Sequence, residues 1–490
     1  MNKDSLYELT NRDAQWRKDL RETLKPSERT AIKRVKMPEL DAAYRVTNNE
    51  EVSQGLTESL ALEEATRCLD CPNPGCVTGC PVSIDIPAFI KNIQRGHVNE
   101  AAKVLKLTSA LPAVCGRVCP QERQCESKCI YLKMNKEPVG IGWLEQYAAD
   151  HGKVDKPFRQ IIENPAKVAV IGSGPAGLSF AGTVALAGHD VTVFEALHEI
   201  GGVLKYGIPE FRLPNPVVDK EIKELELLGV KFEKDVVVGK TLSYSDLQEQ
   251  GFKAVFVASG AGLPRFMGIP GENLNGIMSS NEYLTRINLM GAGRGGDTPV
   301  FKGKHVAVVG GGNTAMDSVR TALRMGAAKA TIVYRRTEAE MPARRMEVHH
   351  AKEEGVEFMT LHNPEAYIGD ENGRVKSMVL RKMVLGEPDE SGRRAPIPVE
   401  GESGVVEIAV DEVIVSVGVS PNPLIPSTFD GLDVSKRGTI VVNDELMSSI
   451  PMLFAGGDIV RGGATVILAM GDGRQAAEKC VELLSKENKS

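Results

Sequence analysis

Eight of the nine cysteines fall between Cys68 and Cys129, in two runs. "CLDCPNPGCVTGCP" places Cys68, Cys71, Cys76 and Cys80 as C-x2-C-x4-C-x3-C-P, and "CGRVCPQERQCESKC" places Cys115, Cys119, Cys125 and Cys129 as C-x3-C-P-x4-C-x3-C. Thiols so concentrated pair as disulfides in small secreted domains, but here they lie in a long chain. Its opening, "MNKDSLYELTNRDAQWRKDL", is charged and lacks the apolar stretch of a secretory signal. Metal ligation is therefore the expected use. Four-cysteine zinc sites favour C-x2-C pairs, and Cys68 with Cys71 is the one such pair here. The spacing and the closing Cys-Pro suit two [4Fe–4S] clusters better, with the cysteine before the proline serving the neighbouring cluster. Cys480, in the apolar pattern "AAEKCVELL", reads as core.

Two further segments carry chemistry and echo each other: "KVAVIGSGPAGLSFAGTVALAGHDVTVFEA" at 167–196 and "HVAVVGGGNTAMDSVRTALRMGAAKATIVYRR" at 305–336. Each reads as strand, glycine loop, helix and strand, the unit that holds a dinucleotide pyrophosphate at a helix N-terminus. In the first, Gly172, Gly174 and Gly177 form G-x-G-x-x-G, with Pro175 and Ala176 opening the helix. Glu195, at the end of the next strand, is placed to accept hydrogen bonds from an adenosine ribose. Downstream, Gly201 and Gly202 can lie against a bulky ligand. In "AGGDIV", Gly457 and Asp458 end a strand where a carboxylate can bind ribityl hydroxyls, and "GGATVILAM", with Thr465, starts a helix that can face a flavin's pyrimidine carbonyl. These features resemble FAD-binding domains of the pyridine-nucleotide disulfide reductase type.

The second loop has Gly310, Gly312 and Ala315, the G-x-G-x-x-A variant, with Asn313 and Thr314 between them. Where the first unit ends in Glu195, the second ends in Arg335 and Arg336. A carboxylate there binds a ribose 2′-hydroxyl and repels a 2′-phosphate, whereas a guanidinium grips the phosphate, so the second site is expected to take NADP(H).

These groups need elements to hold them. The first 160 residues alternate charged helical stretches with the cysteine runs and show no alternating strand pattern, so a helical iron–sulfur domain is expected over 1–160. From Lys167 onward short β-branched strands, glycine turns and alanine-rich helices predict α/β architecture. An FAD-binding domain is expected in two segments, 161–295 and 421–490, with a Rossmann-like NADP domain inserted between them at 296–420. A length of 490 residues supports several domains, and a formal charge of −6 argues against nucleic-acid binding. No run of eighteen apolar residues predicts a membrane span, and a cytoplasmic location is expected.

With the cysteine runs and both nucleotide units in view, the chain resembles the glutamate synthase NADPH small-subunit family over nearly its whole length. The resemblance rests on the two cysteine runs, "VIGSGPAGLS", "GGGNTAMDSVRTA", "VYRRTEAEMPA" and "FAGGDIVRGGATVILAMGDGR". That family includes the large NADP-binding subunit of NADH-dependent ferredoxin:NADP oxidoreductase and resembles the N-terminal region of dihydropyrimidine dehydrogenase. The resemblance implies interleaved ligation, one cluster on Cys68, Cys71, Cys76 and Cys129 and the other on Cys80, Cys119 and Cys125 with a non-cysteine ligand. That ligand is Glu145 in "IGWLEQYA", with Cys115 as the alternative. It further implies electron flow from NADPH through FAD and the clusters, with no catalytic acid or base. The implied partner is a glutamate synthase large subunit or a small FAD/[2Fe–2S] flavoprotein, with ferredoxin as a further acceptor in the second case.

Overall fold

The computed structural model describes residues 3–154, 159–390 and 392–487; residues 155–158, beside the expected boundary at 160, lie outside them. The N-terminal domain is helical. Its core packs Ile86–Gln94 and Val98–Lys106 against Ile141–His151, which also packs against Pro112–Val118. The last two helices approach so closely that a Cβ at Gly116 would stand 2.5 Å from the Gln146 nitrogen, which is why a glycine follows Cys115. Asp70, inside the first cysteine run, has φ 52° and is buried between Arg17 and Arg21, at 2.6 and 2.7 Å. That pairing neutralises a carboxylate that otherwise would lie uncompensated beside the thiols.

Two parallel sheets follow. In the first, Leu453–Ala455, Phe252–Val257, Lys167–Ile171, Asp190–Phe194 and Lys231–Glu233 lie side by side in that order. Since Leu453–Ala455 returns from beyond the second sheet to pair with Phe252–Val257, the second domain is inserted into the first. The second sheet runs Ile277–Ser279, Glu412–Val415, His305–Val309, Lys329–Tyr334 and Glu357–Thr360. Its edge strand Ile277–Ser279 starts before the boundary expected at 295/296, because this three-residue strand pairs in parallel with Glu412–Val415. So short a strand gives little periodic signal. A two-stranded ribbon, Leu263–Pro264 with Val419–Ser420, carries the chain out of the first domain and back. An antiparallel sheet of His362–Gly369, Val375–Pro388, Arg394–Pro398 and Val405–Ala409, unforeseen from the sequence, is built onto the inserted domain.

A buried ion network joins the three domains. Arg212, from the first nucleotide domain, reaches Asp317 at 2.7 Å and Glu347 at 3.3 Å in the second. Arg320 pairs with Glu347 and, at 2.7 Å, with Glu354, which also receives Arg324 at 2.8 Å and Arg45 of the helical domain at 2.9 Å. Phe211 lies under Arg320 and Arg324, 4.6 and 3.9 Å from its ring centre. Burial disfavours ionisation of Glu347, yet Arg212, Arg320, His350 and Arg344 hold its carboxyl down at about 2.

Truncating one partner of such a network leaves a buried charge unpaired, at a cost of about 3–5 kcal/mol. Arg212→Met is therefore expected to lower the urea midpoint of the protein, read by tryptophan and far-ultraviolet signals. Because the folded pKa of Glu347 lies below the ordinary carboxylate value of 4.5, its contribution is full above pH 4.5 and is lost as pH falls toward 2. Burial pushes the carboxyl of Asp317, the other partner of Arg212, up to about 6, so the difference between wild type and Arg212→Met should begin to narrow near pH 6 and go on narrowing toward 2; a difference independent of pH would contradict this assignment.

Candidate functional site

The structure gathers the eight thiols of the two runs into two groups. Burial raises the Cys76 thiol, and Cys68, Cys129 and Cys71 raise it further, so these four thiols are electrostatic neighbours although Cys129 belongs to the second run. Burial likewise pushes Cys80 up to about 11, with Glu145 and Cys115 contributing. Cys80, Cys115, Cys119, Cys125 and Glu145 line one small cavity, whose wall also includes Ile467 of the C-terminal helix. Cys71, Cys76 and Cys129 of the first group, and Cys80 of the second, are partly exposed as residues, while Cys115, Cys119 and Cys125 are buried.

Glu145 projects from the helix Ile141–His151 and is 6% exposed, and its Oε1 has no hydrogen-bond partner. Burial, with Glu221 a lesser cause, pushes its carboxyl up to about 8. An orphaned carboxyl oxygen in a cavity lined by thiols fits an oxygen ligand for a metal there. Cys115 lines the same cavity, with its Sγ 3.4 Å from Met470 Sδ. The donor set thus fits two iron–sulfur clusters, four thiols around one and, around the other, Cys80, Cys119 and Cys125 with Glu145 or Cys115.

The first glycine loop is held by contacts that exclude side chains. Gly172 has φ +101°, and a Cβ there would meet the Ala258 carbonyl at 2.5 Å; a Cβ at Gly177 would meet the Gly172 carbonyl at 2.0 Å. A Cβ at Gly174 would meet nothing, so the helix Pro175–Leu186 opens onto free space, with Ala176 behind it. Glu195 is buried, accepting from the Ser173 backbone N–H at 2.9 Å, from the Ser173 hydroxyl, and from the Leu197 N–H at 2.9 Å. Ser173 in turn accepts from the Gly201 N–H at 2.9 Å. This serine occupies an unconstrained position of G-x-G-x-x-G, so the motif alone gave no signal for its role in joining the loop to Glu195 and Gly201. Gly202, φ +54°, brings the next segment against Gly174. From the far end of the fold, Gly457 donates its N–H to Asp472 at 2.9 Å, and Asp472 also pairs with Arg461. Asp458 accepts from the Ala464 N–H at 3.1 Å, and burial pushes its carboxyl up to about 6. The Thr465 hydroxyl accepts from the Leu468 N–H at 3.4 Å, capping the helix Val466–Glu487. Gly172, Gly174, Gly202 and Asp458 therefore border a glycine-walled cradle that suits a flavin dinucleotide.

In the second loop a Cβ at Gly310 would meet the Ser416 carbonyl at 2.3 Å, Gly311 lies under the Tyr334 ring, and Gly312 opens the helix Asn313–Arg324. Ala315 is buried, Thr314 is exposed, and Asn313 Oδ1 accepts from the Arg344 N–H at 2.8 Å. The two arginines differ. Arg335 directly follows the strand Lys329–Tyr334, as Glu195 directly follows Asp190–Phe194, and it is exposed. Arg336 is 3% exposed, donating to the Arg394 carbonyl at 2.7 Å and pairing with Asp389 in the added sheet. The neighbouring segment Met341–Arg345 touches the second cysteine run: Arg123 donates to the Met341 and Pro342 carbonyls at 2.9 and 3.0 Å, and Arg344 to Gln121 Oε1 at 3.0 Å. Among the described residues, no helix is long and apolar enough to cross a membrane.

Two glycine-walled dinucleotide cradles beside two groups of cysteines define a pyridine-nucleotide-dependent flavin and iron–sulfur oxidoreductase. Family models agree: residues 45–156 match dihydropyrimidine dehydrogenase domain II, 4Fe-4S cluster, and residues 166–473 match pyridine nucleotide-disulphide oxidoreductase. Among solved structures, FprA of Mycobacterium tuberculosis in complex with NADPH shares the fold, with a TM-score of 0.56 and 20% identity over 66% of this chain and 86% of that one. The glutamate synthase [NADPH] small chain of Azospirillum brasilense is 39% identical, over 89% of this chain and 92% of its own length. The corresponding Escherichia coli chain is 36% identical, over 91% and 96%. The NADPH-Fe(3+) oxidoreductase subunit beta of Geobacter sulfurreducens is 37% identical over 84% of this chain and 64% of its own. The chain belongs to the glutamate synthase small-chain family, and FAD, NADP(H) and 4Fe-4S clusters are its cofactors.

The Glu145 geometry makes a direct prediction. Anaerobically purified wild type should hold about eight irons per chain, and Glu145→Ala should lose or convert one cluster, changing the reduced EPR spectrum. Cys115→Ser should keep both. The reverse pattern would make Cys115 the ligand.

Proposed function

We propose that this chain is the NADPH-oxidising small subunit of a glutamate synthase, supplying electrons to a large subunit that reduces the 2-iminoglutarate formed from 2-oxoglutarate and ammonia. The observation that carries this reading is one continuous match over 92% and 96% of two glutamate synthase small chains, spanning the cysteine domain and both nucleotide units. When bound, FAD supplies the exchange between two-electron and one-electron transfer, and the clusters supply one-electron carriage.

The protein's own residues bind and position. Gly172, Gly174, Pro175, Ala176, Gly177 and Gly202 leave the pyrophosphate of FAD free approach to backbone N–H groups, and Glu195 takes its ribose hydroxyls with the lone pairs not engaged by Ser173 and Leu197. Gly457, Asp458 and Thr465 form the opposite wall. Gly310, Gly312, Asn313, Thr314 and Ala315 do the same for NADPH. Arg335 grips the 2′-phosphate, and Arg336 anchors the added sheet beside it. Cys68, Cys71, Cys76 and Cys129 hold one cluster, and Cys80, Cys119, Cys125 and Glu145 the other.

The decisive assay supplies NADPH, 2-oxoglutarate and glutamine to the chain with a glutamate synthase large subunit, and separately NADPH, NAD and oxidised ferredoxin to the chain with a small FAD/[2Fe–2S] flavoprotein. Glutamate formation is expected. Ferredoxin reduction that requires NAD, without glutamate, would replace this reading with the ferredoxin:NADP oxidoreductase one. For Arg335→Glu, loss of a charge-assisted contact and gain of repulsion should lower kcat/KM for NADPH about 100-fold while NADH is spared or improved. Arg336→Ala should chiefly reduce stability. An unchanged NADPH preference in Arg335→Glu would refute the assignment of Arg335.

A further inference from the structure

Directly after Cys129, the 3-10 segment Ile130–Met134 turns one side chain inward and four outward, three of the four apolar. Tyr131 is buried, its hydroxyl donating to the Arg67 carbonyl at 2.6 Å, whereas Ile130, Leu132 and Met134 are 37, 43 and 40% exposed. Asn135, at φ 53°, ends the segment in the left-handed region. Single exposed apolar residues are ordinary, but three within five residues, on a rigidly anchored turn, form a patch. It adjoins the loop of the first cysteine run: a Cβ at Gly75 would lie 2.9 Å from the Lys128 carbonyl, and one at Gly79 would lie 3.0 Å from Lys128 Cγ.

Charge singles out the same face. The stretch "KCIYLKMNK", 128–136, carries three lysines and no carboxylate in a chain of formal charge −6, and "PNPGCVT", 72–78, carries no charge at all. Cys71, Cys76 and Cys129, each partly exposed, lie in or beside these two stretches, and the buried thiol group faces Ile467 of the FAD domain instead. An apolar centre with a cationic rim, at the thiol group nearest solvent, is what a protein partner with an acidic rim would cover.

We propose that the face made by Lys128, Ile130, Leu132, Lys133, Met134 and Lys136 is the docking surface for the electron-accepting large subunit, through an acidic patch on that subunit. This rests on the reading given under Proposed function. The lysines draw the partner in and fix its register, and the three apolar side chains exclude water over the exposed edge of the thiol group.

The test measures binding of the holoprotein to a glutamate synthase large subunit by titration calorimetry, for wild type, Lys133→Glu/Lys136→Glu and Leu132→Ser/Met134→Ser. None of these residues is a ligand or touches a nucleotide cradle, so iron content and NADPH-driven ferricyanide reduction should equal wild type and report intact folding. Each double variant should bind at least ~10-fold more weakly, and raising salt from about 0.1 to 0.5 M should weaken wild type but not the charge-reversed variant. If wild type binds and both variants bind equally well, this face is not the docking surface and the glutamate synthase reading stands. Failure of wild type to bind the large subunit at all would overturn that reading and this proposal with it.

Discussion

One buried carboxylate, Glu354, governs how the three domains of the molecule sit together. It is fully enclosed, and three guanidiniums converge on it, from Arg320 and Arg324 of its own domain and from Arg45 of the helical domain. A carboxylate without these partners would not remain ionised in such a place. Three converging arginines hold it ionised, but only in one arrangement of the domains that bring them. Arg212 extends the constraint to the first nucleotide domain through Asp317 and Glu347. The mutual placement of the two cradles and the cysteines is thus tied to charge pairs that tolerate little displacement.

That rigidity has a functional side. Within the loop from Met341 to Arg345, Arg344 alone reaches both sites: its backbone N–H donates to Asn313 of the second glycine loop and its guanidinium to Gln121, between the cysteines of the second run. The C-terminal helix borders the FAD cradle through Thr465 and the buried thiol cavity through Ile467. Two boundaries between cofactor sites, that of the second glycine loop with the second cysteine run and that of the FAD cradle with the buried thiol cavity, are thus each spanned by an element touching both.

Much of this architecture is legible in the residues alone. The glycine spacings located both dinucleotide loops because only glycine tolerates the φ values and carbonyl approaches at positions 172 and 310. The cysteine spacings located the metal domain, and the helical and α/β textures followed hydrophobic period. The antiparallel sheet around Val375–Pro388 escaped notice, as did the early edge strand Ile277–Ser279, because two-sided or very short strands leave no clear alternation. Ser173 escaped because the motif leaves its position free.

The sequence by itself determined which groups could do chemistry: eight thiols, two pyrophosphate loops, and a strand-end acid exchanged for strand-end arginines. Only the tertiary structure gave these groups their surroundings. It made Arg335 the exposed guanidinium and locked Arg336 to Arg394 and Asp389, and it gave Glu145 an unpartnered oxygen while supplying Cys115 with sulfur neighbours. The physical reason is common to both cases. Residue type is written in the sequence, but burial and the partners it brings depend on which distant segments meet.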